Sequence, residues 1–125
     1  MNEKAATVAR LVLGFMFSAG AIAGILGKVP PPEPEAAQAF MGMLASSGLI
    51  FIVKILELLC GIALLSGRFV PLALLVLAPI IVNILYFHIS LDPSGAPVGV
   101  FFLVLWIVAG LGQRSTLLPL LSARP

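Results

Sequence analysis

The chain has only one cysteine, one histidine, one tryptophan and one tyrosine. A lone cysteine, Cys60, excludes an internal disulfide, a C-x-x-C redox pair and a cysteine-built zinc or iron–sulfur site from a single chain. Charge is equally scarce. The 7 Lys and Arg and 5 Asp and Glu make 10% of 125 residues, where a soluble domain needs roughly a quarter to keep its surface in water. With 61% hydrophobic residues and a mean hydropathy of +1.19, the composition excludes most soluble enzyme classes and reads as an integral membrane protein. The few cations are scattered, with no basic run and no interleaved aromatics, so nucleic acid is not a partner. No Ser/His/Asp set, glycine-rich phosphate loop or carboxylate pair is present. Accordingly no catalytic residue and no metal ligand set is assigned.

What the chain does have is length in its apolar runs. A helix rising 1.5 Å per residue crosses a hydrocarbon core of about 30 Å in roughly 17 to 25 residues. Four stretches approach or meet that length, at about 8–27, 49–66, 70–89 and 98–111, and none shows the period-2 alternation of a membrane strand. The expected fold is an all-α polytopic membrane protein. Residues 1–125 form one domain, a four-transmembrane-helix bundle. The last span is short, and a locally thinned bilayer accommodates it. Lys4 and Arg10 followed by Ala21-Ile22-Ala23 resemble a secretory signal, but the apolar run continues through Leu26 past that site, which favours a retained span. Gly20 and Gly24, with Ala19, Ala23 and Gly27 nearby, form a small-residue surface expected to pack another helix.

Lys4, Arg10, Arg68, Arg114 and Arg124 fall on one side of this topology, whereas the other side has Lys28 beside Glu33 and Glu35, and Asp92. The positive-inside rule then places both termini in the cytoplasm, in a multi-pass protein of the inner (plasma) membrane. The outer loop 28–48 starts stiffly at Pro30, Pro31, Pro32 and Pro34. It continues as a short interfacial helix, capped by Glu33 with Pro34 in its first turn. Ala37, Phe40, Met41 and Leu44 form its apolar face, opposite Glu35 and Gln38. It is expected either to lid a cavity or to fill the interface.

Polar residues inside the spans need a partner or a purpose, since an ionisable group at mid-bilayer costs about 2.5 to 3.5 kcal/mol on insertion scales. Lys54 and Glu57, three apart on one face of the second span, neutralise each other. Two readings stay open: a pair that fixes helix rotation and neighbour choice, or a pair that faces a cavity and meets a ligand or proton. Asn83 in the third span lies about 5 Å outward of the middle, the same depth as Lys54. These two are expected to meet, with the carbonyl freed by Pro79 in the same layer. His88 stands near the outer headgroups, four residues before Asp92, and is the chain's best proton carrier. The candidate ligand-binding residues are therefore Lys54, Glu57, Asn83 and His88.

The run from Lys54 through Glu57, Cys60 and Gly61 to Gly67-Arg68 resembles the second span of the DoxX family of small four-helix membrane proteins. Gly14-Phe15, Gly20 and Gly27-Lys28, and later Ala78-Pro79, Asn83-Ile84 and Phe87-His88, are similar to the same family, over roughly residues 8–111. The resemblance implies the four-span topology and an association with quinone-linked sulfur or terminal oxidation or with oxidative-stress proteins. It also implies a polar intramembrane site at Lys54, Glu57, Asn83 and His88. Three functions follow as expectations. The foremost is an accessory or ligand-binding subunit holding a quinone, a lipid or a membrane or periplasmic partner protein. The others are a membrane subunit of a quinone-linked oxidoreductase, and a small-solute or proton pathway through Glu57 and His88 that needs a homo-oligomer. Quinone or lipid are the only cofactors suggested.

Overall fold

This computed structural model describes residues 2–124, and among them every regular element is helical. The helices are α1 (Glu3–Ile25), α2 (Glu35–Ser46), α3 (Leu49–Ser66), α4 (Val70–Ser90), α5 (Ala96–Leu111) and the single turn α6 (Arg114–Leu117). Tight 3-10 turns at Pro93–Gly95 and Leu118–Leu121 precede α5 and follow α6. Four helices are long and apolar enough to cross a membrane, the fourth counted from Pro93 to Leu111. This is the architecture of a multi-pass membrane protein.

The helix ends follow from local chemistry. Asn2 accepts the Lys4 N–H on its side chain at 2.8 Å, so α1 starts at Glu3, ahead of the apolar run that begins near Val8. Gly27 (φ 70°) and Gly67 (φ 74°) take the left-handed conformation just past α1 and α3. The next N–H in each case then turns back into the helix, from Lys28 to Ala23 at 2.9 Å and from Arg68 to Ala63 at 3.2 Å. Phe69 is also left-handed (φ 56°), an uncommon state for a residue with a side chain, and it lets α4 begin after only three intervening residues.

The helix in the outer loop forms as expected, but its start differs. Pro34 is the N-cap residue, in extended conformation without a side-chain cap, and the helix begins at Glu35. The Glu33 carboxylate does not cap it. Instead the Gln38 amide donates to the Glu33 carbonyl at 3.1 Å, which ties the proline-stiffened strand to the first turn. Ala37 is buried, Met41 and Leu44 are half-buried, and Phe40 stacks on Phe87 of α4 with ring centroids 5.5 Å apart. α2 thus rests against α3 and the end of α4.

The four spans close a ring in chain order: α1 packs on α3 and α5, and α4 packs on α3 and α5. Their inward stripes repeat at helical spacing. Ala6, Ala9, Leu13, Phe17 and Ala21 come from α1, Cys60 and Leu64 from α3, and Val70, Ala73, Leu74, Leu77 and Ile81 from α4. α5 closes the core with Ala109, with Phe102 against Phe17 (centroids 5.0 Å), and with Trp106, whose indole N–H donates to the Leu74 carbonyl at 2.8 Å.

The small-residue contact lies elsewhere than expected. Gly20 faces outward, with no atom within 4 Å of where its Cβ would be. The close approach is between Gly14 of α1 and Gly61 of α3: a Cβ on Gly14 would stand 3.0 Å from the Gly61 carbonyl, and one on Gly61 would stand 2.9 Å from the Gly14 carbonyl and overlap Ser18 Oγ. These obstructions are mostly backbone and cannot rotate away. Replacing Gly61 by Val should therefore destabilise the protein by about 1–3 kcal/mol, the usual cost of overpacking. Gly20→Val should be close to neutral. Thermal unfolding of both variants in one mild detergent decides between the two positions, and equal loss would contradict the assigned contact.

Candidate functional site

Lys54 and Glu57 form the one ion pair among the described residues, Nζ to Oε2 at 3.4 Å. Both lie on α3, but what shapes them is α1. Glu57 points into the bundle with its side chain only 6% exposed, on the inward stripe with Cys60, Gly61 and Leu64. Lys54 lies at the seam, 22% exposed, with its methylenes laid across Gly24 of α1. A Cβ on Gly24 would come within 2.8 Å of Lys54 Cε, so glycine there leaves the channel in which the lysine stem runs. The aliphatic stem lies against Gly24 while part of the side chain stays exposed, a disposition common for long cationic side chains at an apolar surface. An ammonium has three donors; the Glu57 carboxylate takes one of them.

The same α1–α3 seam holds two further polar groups toward the end that bears the termini. Ser18 Oγ is buried against Gly61 and has no hydrogen-bond partner among the described residues. Arg10 donates from its guanidinium to the Leu64 carbonyl, one of the free acceptors in the last turn of α3. Neither Ser18 nor Gly24 was singled out from the sequence as part of a polar site. A serine and a glycine in an apolar run carry no signal until the facing helix is known. In the sequence Arg10 signals topology and a signal-like N-terminus, not a helix cap.

The four candidate residues do not converge. Asn83 is exposed on α4 and turns its amide back to the Pro79 carbonyl at 3.0 Å, within its own helix. Lys54 meets Gly24 and Glu57 rather than Asn83, because its position on α3 turns it toward α1. Matching depth was a sound inference, but depth does not fix the azimuth at which a side chain leaves its helix. His88 packs where α4 meets α5, its ring against Gly95 and Gly99, and its Nδ1 pairs with the Asp92 carbonyl at 3.3 Å. α4 ends at Ser90, and the Asp92 carboxylate accepts from the Ser94 hydroxyl at 2.8 Å, not from the imidazole. Glu57 and His88 thus occupy different seams of the ring. Two shallow clefts of about 170 and 270 Å³ lie at the terminus-bearing end. Arg10 and Gln113 line the first and Arg114 the second, and Glu3 is common to both.

A protein-family comparison matches DoxX over residues 5–89. The chain belongs to the DoxX family. The match spans α1 through nearly all of α4, so the whole α1–α3 seam falls inside it and α5 lies beyond it. Comparison with curated proteins and with solved structures returned no match.

The geometry makes a specific demand on this DoxX protein. Removing Lys54 leaves the buried Glu57 carboxylate without its counter-charge, whereas removing both leaves an apolar seam. Lys54→Met should lower stability by about 3 kcal/mol, and Lys54→Met/Glu57→Leu should recover most of that loss. Denaturation of the single and double variants in the same detergent measures it, and additive losses would show that the two residues do not act as a pair.

Proposed function

We propose that this DoxX-family chain is a membrane-embedded accessory subunit. In this reading it holds a lipid-soluble molecule carrying an oxygen acceptor, a quinone carbonyl or a lipid headgroup, against the ammonium of Lys54. The observation that carries it is the asymmetry of the pair: a Glu57 side chain enclosed in the bundle and a Lys54 side chain left 22% exposed at the α1–α3 seam. For packing alone, two leucines would fill that space without any desolvation cost. Here Glu57 holds the Lys54 Nζ by one hydrogen bond, Gly24 gives its stem a track, and two donors of the ammonium are left for a ligand. The role is binding and positioning. Any redox change would take place on the ligand or on a partner protein, with Lys54 stabilising negative charge on the bound oxygen.

The distribution of cations supports termini on the cytoplasmic side of the inner (plasma) membrane, which puts the Lys54 end of the seam in the outer half of the bilayer. A green fluorescent protein fused after residue 125 should fluoresce and an alkaline phosphatase fused there should be inactive; the reverse pattern would invert the assignment.

The binding reading is tested by native mass spectrometry of protein extracted gently from its membrane, comparing wild type with Lys54→Leu/Glu57→Leu at matched expression and matched thermal stability. The wild type should carry an adduct whose mass identifies it as a quinone or a phospholipid, and the double variant should lose at least about nine-tenths of it. An adduct equally abundant on both would overturn the assignment, as would a wild type that carries none.

A further inference from the structure

Two clefts share a wall at the end of the bundle that bears the termini. Ala6 of α1 and Gly112, just past α5, line both. A Cβ on Gly112 would stand 2.6 Å from the Ala6 Cβ, so the chain segments touch there with nothing larger between them. Glu3 also lines both clefts, with Arg10 in the smaller and Arg114 in the larger.

The smaller cleft, about 170 Å³, holds opposite charges that do not meet. Glu3 and Arg10 are seven residues apart, two helical turns, which puts them on one face of α1 and about 10 Å apart along its axis. Neither joins an ion pair among the described residues, where Lys54–Glu57 is the one such pair. Arg10 is half-buried and gives one N–H to the Leu64 carbonyl; the other donors of its guanidinium have no partner among the described residues. A half-buried guanidinium without a counter-charge is costly, and an anion in the cleft relieves that cost. Thr7, between Glu3 and Arg10 on the same face, and Gln113 from beyond α5 add a hydroxyl and an amide, both able to donate to such an anion.

The order of these charges along the membrane normal selects the ligand. Arg10 is the deeper, reaching the last turn of α3, and Glu3 opens α1 on the aqueous side. A phospholipid headgroup has the same order, with its phosphate next to the glycerol and acyl chains and its base beyond. Both side chains are long, and the phosphate-to-ammonium length of a headgroup spans the rest of the separation. A purely anionic lipid would leave Glu3 facing a negative charge, and a quaternary choline has no N–H to give a carboxylate. We propose that this cleft takes the headgroup of an ethanolamine phospholipid from the leaflet on the terminus side, its phosphate on Arg10 and its primary ammonium on Glu3. A cationic recess between spans is a recognised seat for a lipid headgroup; the carboxylate beyond the cation is what narrows the choice here. The site rests on none of the residues around Lys54. Because the cleft is shallow its occupant exchanges with the bilayer, so it is read in the membrane and not on extracted protein, which separates it from the adduct expected at Lys54.

The test uses the primary amine. A water-soluble carbodiimide joins a carboxylate to an amine in contact with it, forming an amide while the carbodiimide takes up the water as a urea. The full chain is placed in nanodiscs of phosphatidylcholine with a rising fraction of phosphatidylethanolamine. The Glu3 peptide should gain the lipid's mass less water about ten-fold more often than the peptide carrying Glu33 and Glu35, which lie at the other membrane face. The yield at Glu3 should saturate as the ethanolamine lipid rises, whereas chance encounter at Glu33 and Glu35 grows in proportion. Arg10→Gln should lower the Glu3 yield about ten-fold, the worth of one charge-assisted hydrogen bond, and Arg10→Lys, which keeps a cation, should retain most of it. Arg10 also bonds the end of α3, and the wild-type saturation curve is the measurement that needs no substitution. Coupling at Glu3 no higher than at Glu33 and Glu35, a yield that rises without saturation, or a yield indifferent to Arg10→Gln would each overturn the proposal. Equal coupling to soluble phosphoethanolamine in discs without the ethanolamine lipid would overturn it too, by making the occupant a free solute.

Discussion

The buried ion pair and its seam depend on how closely α1 and α3 approach. At Gly14 and Gly61 the two backbones come together without side chains between them, each glycine leaving room for the other's carbonyl. In a bilayer this kind of contact does what hydrophobic burial does in water, since lipid tails are as apolar as leucine and association relies on close van der Waals packing. The contact also sets the azimuth of α3. With Gly61 fixed against α1, Glu57 one turn away must point inward and Lys54 must lie along the neighbouring edge of α1, where Gly24 makes space for it.

The placement of charge in one helix, and not across two, follows from insertion. Lys54 and Glu57 are three residues apart, so the pair is neutralised as soon as α3 forms and does not wait for a neighbour. Arg10 solves a different problem at the other end of the seam. The last carbonyls of α3 lack helical donors, and the guanidinium supplies both a hydrogen bond to Leu64 and a positive charge at the negative end of the helix. α1 thus contributes a glycine track at one end of α3 and a cationic cap at the other, with the glycine contact between them.

The spans and the Lys54–Glu57 pair were legible in the sequence for related reasons. Bilayer thickness dictates the length of an apolar run, and helical periodicity puts residues three apart on one face; both are properties of a single segment. The rest needed the relation of one segment to another. Gly20 and Gly14 look alike in the sequence, yet only Gly14 meets a helix. Asn83 and Lys54 share a depth, yet they leave their helices in different directions. Glu33 stands where a capping carboxylate would, but the extended Pro34 takes the N-cap position and Gln38 supplies the hydrogen bond to Glu33. The DoxX resemblance read from the residues extended to about residue 111, whereas the family match ends at residue 89.

That boundary agrees with how the bundle divides its work. α5 has no charged side chain, and its one long-range polar contact is the Trp106 N–H to Leu74. Its remaining contribution is apolar: Phe102 on Phe17, Ala109 in the core, and Gly99 admitting Leu85 and the His88 ring. A helix that only closes a ring can be built from many apolar sequences, provided volume and pattern are kept. The α1–α3 seam has no such freedom, because each of its glycines is opposed by a particular atom and its lysine by a particular carboxylate. The constraints of the fold and the chemistry available to the protein therefore fall on the same two helices, while Asn83 of α4, exposed, turns its amide back to its own helix.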